Sequence, residues 1–184
     1  MEVFLMFVLY SFLGCVLEDV YYYALHRKYV SKRTLLNLPL CPVYGISALV
    51  LFLVNKDTQN PVLLFCNGFL AVSAVELTFY LVSKRIYNVE WWDYSKHKIN
   101  FMGGVSLFYS VMWGFLNIVF AKIVHPAVSL WIGGISETSQ LFVGLFIAVY
   151  LIADFKETHN ELLKHKKGEK SSIFEKFSYL KSNN

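Results

Sequence analysis

Charge is scarce in this sequence. Only 16% of its 184 residues are Asp, Glu, Lys or Arg, against about a quarter in an ordinary soluble domain. Cysteine is also sparse. Cys15, Cys41 and Cys66 form no CxxC and no Cys/His pattern, so they read as small hydrophobic thiols rather than a disulfide or metal framework. There is no HExxH, no GxSxG and no GxxxxGKS/T. Those absences remove the zinc-protease, serine-hydrolase and P-loop chemistries that need these spacings. His26, His97, His125, His159 and His165 fall near segment boundaries or in the tail, where they read as interfacial side chains, with His125 before Pro126 marking a helix end. No catalytic set, metal-ligand set or cofactor is called for.

What the sequence has instead is apolar length. Five stretches, 3–25, 36–54, 61–82, 101–124 and 127–153, each approach or exceed the ~20 residues that cross ~30 Å of hydrocarbon. The implied fold is all-α: a polytopic membrane helix bundle over residues 1–154, with five transmembrane helices and a broken second span. Residues 155–184 form a basic tail. In it Phe174, Phe177 and Leu180 recur at three-residue intervals among lysines, the pattern of a short interfacial helix or of a solvated tail. The first run follows Glu2 rather than a basic segment and precedes no small-x-small site, so it reads as an uncleaved span.

The net charge of +4 does not call for nucleic acid, because the basic residues follow membrane topology. Arg27, Lys28, Lys32 and Arg33 occupy the first connection, and Lys84, Arg85, Lys96 and Lys98 the third. Lys156, Lys164, Lys166, Lys167, Lys170, Lys176 and Lys181 are in the tail. The other side holds Lys56, with Lys122 at the edge of the fourth span. The positive-inside rule then sets the N-terminus outside and the C-terminus in the cytoplasm, in a plasma-membrane protein.

Two acidic residues stand inside the apolar runs. Glu18 lies eight residues before His26 and Glu76 eight before Lys84, so each sits ~12 Å above the basic boundary at 1.5 Å per residue. An ionised carboxylate in hydrocarbon is costly and marks either a polar site or a hydrogen bond between helices. Asn67, Ser73, Thr78 and Tyr80 could supply such bonds. In the second run Pro39 and Pro42 cannot both sit inside one regular helix. The helix should begin near Pro42, leaving 13 residues to Val54, about 20 Å, and the preceding chain should enter the membrane layer unwound, where only protein or water can cover it. Equally, the prolines could mark the boundary of a short tilted span. Glu137, in the polar stretch 133–140, reads as a helix start near the outer surface or part of a vestibule there.

The third connection, Glu90-Trp91-Trp92-Asp93-Tyr94-Ser95, is unlike a casual loop. Asp93 could cap a turn through Tyr94 and Ser95 or pair with Arg33, Lys32 or Arg85. Together with Tyr10-Ser11-Phe12-Leu13-Gly14-Cys15, Leu40-Cys41-Pro42-Val43-Tyr44-Gly45, Glu76-Leu77, Asn100-Phe101-Met102-Gly103, Trp113-Gly114 and His125-Pro126, it resembles the CmpB-like permeases, or ABC-transporter type IV family, and the related animal transmembrane protein 229 family. The resemblance covers about residues 7–126. It implies a small transport component and singles out Glu18, Glu76 and Asp93; a pocket built on Glu18, Glu76 and the broken second span, with Asp93, Arg33 and Tyr44 near its mouth, makes these five the candidate substrate-binding residues. A permease without an ATP-binding element calls for a separate ATPase subunit, and so thin a bundle for a homo-oligomer or partner among the membrane lipids. Two other readings stay open: an intramembrane enzyme acting on a lipid or isoprenoid, and a non-catalytic membrane scaffold or regulator.

Overall fold

Long runs of Leu, Val, Phe and Ile leave the backbone one way to satisfy itself in hydrocarbon within a single segment, the helix. The computed structural model describes residues 1–27, 38–169 and 171. Among them the helices are α1 (Glu2–His26) and α2 (Pro42–Val54), α3 (Pro61–Tyr87) and α4 (Leu107–Gly133), and α5 (Glu137–Lys166). A loop between α3 and α4 carries strands β1 (Asn100–Phe101) and β2 (Val105–Ser106), paired antiparallel. Among the described residues α1, α3, α4 and α5 are long and apolar enough to cross a membrane. The fold is an all-α membrane bundle.

The shorter helix α2 begins at Pro42, as its prolines dictate, since a first-turn residue needs no N–H partner. Its 13 residues extend only about 20 Å. The unwound chain before it is covered by protein. Leu40 and Cys41 are buried, and the Cys41 N–H donates to the Ser11 carbonyl of α1 at 3.0 Å. The pairing of α1 with α2 depends on two glycines. A Cβ on Gly14 would strike the Tyr44 side chain, and one on Gly45 would strike the Ser11 hydroxyl. Each helix thus seats a side chain of the other against bare backbone, which fixes where Tyr44 points.

The expected break between 124 and 127 is absent, and this corrects the fourth and fifth span boundaries. Helix α4 runs straight through His125-Pro126. A π-helical turn, Phe120–Val124, precedes the proline and loosens the hydrogen-bond ladder where its ring would meet the previous turn. His125 is therefore no helix end but an interior residue, its Nδ1 2.7 Å from Tyr10 Oη. Lys122 lies within α4 and is exposed. The reversal falls at residues 134–136, and α5 starts at Glu137 with Ser136 as its cap, Oγ accepting from the Ser139 N–H at 3.3 Å. Helix α5 continues past residue 154 to Lys166. The 173–180 segment lies outside the described residues.

One end of the apolar core is Leu5, Met6 and Tyr10 of α1, Ala48 of α2, and Val128 and Ile132 of α4. Beyond it, an asparagine knot ties α2, α3 and α4. Asn55 Nδ2 donates to Asn117 Oδ1 at 2.9 Å. Asn117 Nδ2 donates to the Leu64 carbonyl at 2.6 Å, and Asn67 Nδ2 to Asn55 Oδ1 at 3.0 Å. Asn117 is fully buried. The Leu64 carbonyl stands next to a second π-helical turn, Gly68–Val72, where widened geometry leaves room for a side-chain donor. Asn117→Ala strands the Asn55 amide in hydrocarbon and leaves the Leu64 carbonyl only the Gly68 N–H. It should lower resistance to SDS unfolding by about 2 kcal/mol, and a loss under about 0.5 kcal/mol would mean the knot is incidental.

Candidate functional site

The loop from 88 to 106 is built by its own side chains. Asn88 ends α3 in the left-handed region at φ 57°. Trp92 Nε1 donates to the Gly104 carbonyl at 2.9 Å, and the Tyr94 N–H to the Gly103 carbonyl at 2.9 Å. Met102 and Gly103 turn the hairpin with φ of 57° and 74°. A Cβ on Gly104 would stand 2.6 Å from Tyr80 Cδ1, so the glycine lets the loop lie flat on α3. Glu90 fastens the loop's start: its Oε1 is 2.7 Å from Lys84 Nζ and accepts from Tyr80 Oη at 3.1 Å. Lys84 thereby holds the Glu90 carboxyl below the usual carboxylate range.

Asp93 is exposed, and Ser95 caps its charge. Oδ1 accepts from the Ser95 N–H at 2.8 Å and Oδ2 from Ser95 Oγ at 3.0 Å. These bonds lower its pKa. Of the sequence alternatives, turn capping is the geometry seen. The neighbouring Tyr94 turns inward. Its ring stacks on Tyr109 of α4, centroids 4.8 Å apart at 29°. Burial pushes its phenol well above the usual range, and the charges of Glu76 and Glu18 push the same way.

Glu76 is 6% exposed. Its Oε2 has no hydrogen-bond partner among the described residues. The Trp113 indole N–H reaches toward the carboxyl without completing a bond of ordinary geometry. The side chains that could have been helix glue are engaged elsewhere. Asn67 belongs to the asparagine knot, and Ser73 Oγ is 2.6 Å from Ser110 Oγ. Thr78 bonds the Ala74 carbonyl, and Tyr80 bonds Glu90.

Glu18, half-buried on α1, accepts a weak thiol bond from Cys41 at 3.8 Å. Tyr44 reaches both acids. It lies within electrostatic range of Glu18 and Glu76, and its ring meets Trp113 edge-on at 5.9 Å. Tyr109 is likewise in range of both carboxyls, and its hydroxyl is 3.5 Å from that of Tyr21. The fold therefore gathers Glu18, Glu76 and Tyr44 in one neighbourhood, keeps Asp93 on the loop surface, and leaves Arg33 outside the described residues. Tyr94, Tyr109 and Trp113 were missed in the sequence. Tyr109 and Trp113 stand four apart, one helical turn, in a run whose other aromatics, Phe108 and Phe115, are exposed. That periodicity was the available signal.

Glu76 is packed closed. A concavity of about 660 Å3 opens instead beside Glu2, His125, Ser129 and Gly133. Another of about 250 Å3, wholly apolar, lies between Val8, Pro39, Phe146 and Tyr150. Neither includes Glu18 or Glu76.

Helices of this length and hydropathy, folded around internal polar groups, define an integral membrane protein. The family model described as "Putative ABC-transporter type IV" matches residues 5–159, and the chain belongs to that family. No curated protein and no solved structure matches it.

The Asp93 cap carries a pH dependence. Its carboxyl is depressed in the folded loop, so its contribution is present above the unfolded value of about 3.9 and is lost as pH falls through the folded one. The protection of the Ser95 amide, relative to its intrinsic exchange rate at the same pH, should fall in Asp93→Ala at neutral pH, and in the native chain only on acidification below the unfolded value. Equal protection in the variant contradicts the cap.

Proposed function

We propose that this protein is a small transport component of the plasma membrane. Its acidic intramembrane site is formed by Glu18 and Glu76, with Tyr44 between them and Asp93 towards its mouth. The observation that carries this reading is the buried Glu76 oxygen without a hydrogen-bond partner. A carboxyl kept only as helix glue would be bonded across helices. This one lies within electrostatic range of Tyr44, Tyr94 and Tyr109, and so does a second acid, Glu18. Intramembrane acids left so are characteristic of substrate pathways and proton relays.

The N-terminus is outside and the C-terminus cytoplasmic, as the basic connections support, so the site lies towards the inner leaflet beneath the Tyr94 loop. A second subunit or a separate ATPase completes the path. Lys122 favours such a partner: an exposed ammonium inside a spanning helix is costly against lipid and is relieved against protein.

Glu76→Gln keeps the shape of the side chain and removes its charge. Proteoliposomes on a solid-supported membrane, pulsed with cationic, anionic and neutral solutes in turn, should give a solute-evoked current with native protein. The variant, folded and inserted to the same level, should give none. No solute response that depends on Glu76 would contradict the transport reading. The orientation is checked separately. In a Cys66→Ala background, Ser136→Cys should react with an impermeant maleimide on intact cells, and Ser95→Cys only after permeabilisation. The opposite labelling reverses the topology.

A further inference from the structure

The chemistry of the cluster points to the class of ligand it takes. We propose that Glu76, with the rings of Tyr44, Tyr94, Tyr109 and Trp113, forms a receptor for an alkylammonium group, the cationic head of an amine or quaternary ammonium compound. This rests on the reading above that the cluster is a ligand site.

Three observations carry it. First, Glu76 is 6% exposed with Oε2 unpartnered among the described residues, and a buried carboxylate in this state is compensated by a cation brought to it. Second, what surrounds the acid is aromatic. Tyr94 and Tyr109 stack at 4.8 Å and 29°. Tyr44 and Trp113 meet at 5.9 Å and 68°, and Tyr21 meets Tyr109 at 6.4 Å and 73°. One pair is stacked and two are set at steep angles, so the cluster presents both ring faces and ring edges, and ring faces attract diffuse organic cations. Third, other ligand classes fit poorly. A hard dication wants six or more oxygens, and the described residues hold no group of three or more His, Cys, Asp or Glu able to bind a metal. An anion would meet Glu76 and Glu18, the charges that act on all three tyrosines.

Two sources offer the same chemistry, a free amine solute and the headgroup of a phospholipid. The closed packing around Glu76 places the means of access in the loop: Tyr94 is the one ring of the four that a loop carries rather than a helix. A ligand reaches the carboxyl by displacing that ring from Tyr109.

The test is a binding titration, independent of flux. Full-length protein in phosphatidylglycerol nanodiscs is titrated with tetramethylammonium chloride against matched sodium chloride, and tryptophan fluorescence is read. A saturable change specific to tetramethylammonium is expected, and Trp113→Phe should remove it. Glu76→Gln should raise Kd about tenfold or more with its melting temperature held near that of the native chain. Tyr94→Ala, on the loop, should raise it about threefold or more. Glu137→Gln, exposed at the start of α5, should leave it unchanged. Nanodiscs containing phosphatidylethanolamine or phosphatidylcholine separate the sources: competition assigns the site to a lipid headgroup, and an unchanged Kd assigns it to a free amine. No saturable response, a response equalled by sodium, or an unaltered Kd in Glu76→Gln overturns the proposal. Ammonium binding without any flux would sink the transport reading alone. Flux of other solutes without ammonium binding would sink this inference alone.

Discussion

Hydrocarbon offers no hydrogen bonds, so each polar group carried into the bilayer must find its partner inside the chain. That constraint organises this structure. It requires the unwound segment before α2 to bond the Ser11 carbonyl. It also gathers Asn55, Asn67 and Asn117 into one knot around the Leu64 carbonyl. Trp113 Nε1 and Thr158 Oγ1 are also buried without a partner among the described residues, but of these groups only Glu76 can carry a charge, and its unpartnered oxygen is therefore informative. Ordinary stability would not leave it there.

The surrounding architecture keeps that oxygen where it is. The π-helical turn at Gly68–Val72 sits one turn before Glu76 and sets the rotation at which its helix presents the acid. Close approach at Gly14 and Gly45 seats Tyr44 between α1 and α2. The loop braces itself on Tyr80 and Glu90 and so delivers Tyr94 from the end of the bundle. Separate pieces of chain thus converge on one carboxyl, and Tyr44 and the Tyr94 loop are each held by bonds and packing of their own. The frame would survive its neutralisation, which is the property expected of a ligand-facing group and not of a structural one.

The two acids and the broken span were legible from local signals: a charge in an apolar run, and two prolines three apart. The start of α2 at Pro42 followed from the missing N–H alone, whereas for Asp93 the sequence left turn capping and ion pairing open, and the folded loop shows the bonds to Ser95. The break drawn at His125-Pro126 failed because proline was weighed without the π-helical turn that accommodates it, and such a turn leaves no mark in composition. The asparagine knot was invisible because Asn55 and Asn117 are far apart in sequence and each looks like a loop or interior polar residue by itself. The aromatic lining of Glu76 was hidden for another reason: tyrosines and tryptophans at the ends of spans read first as interfacial anchors, and only the folded loop turns Tyr94 inward.

Infrared difference spectroscopy tests the central claim most directly, because it observes the Glu76 carboxyl itself. Spectra of the protein in bilayers are compared before and after addition of tetramethylammonium, with the carboxyl band assigned through its loss in Glu76→Gln. A shift of that band on addition, absent with sodium, is the expected result. A Glu76 band that does not respond to any cation would mean that the acid faces no ligand and that the polar cluster is only packing.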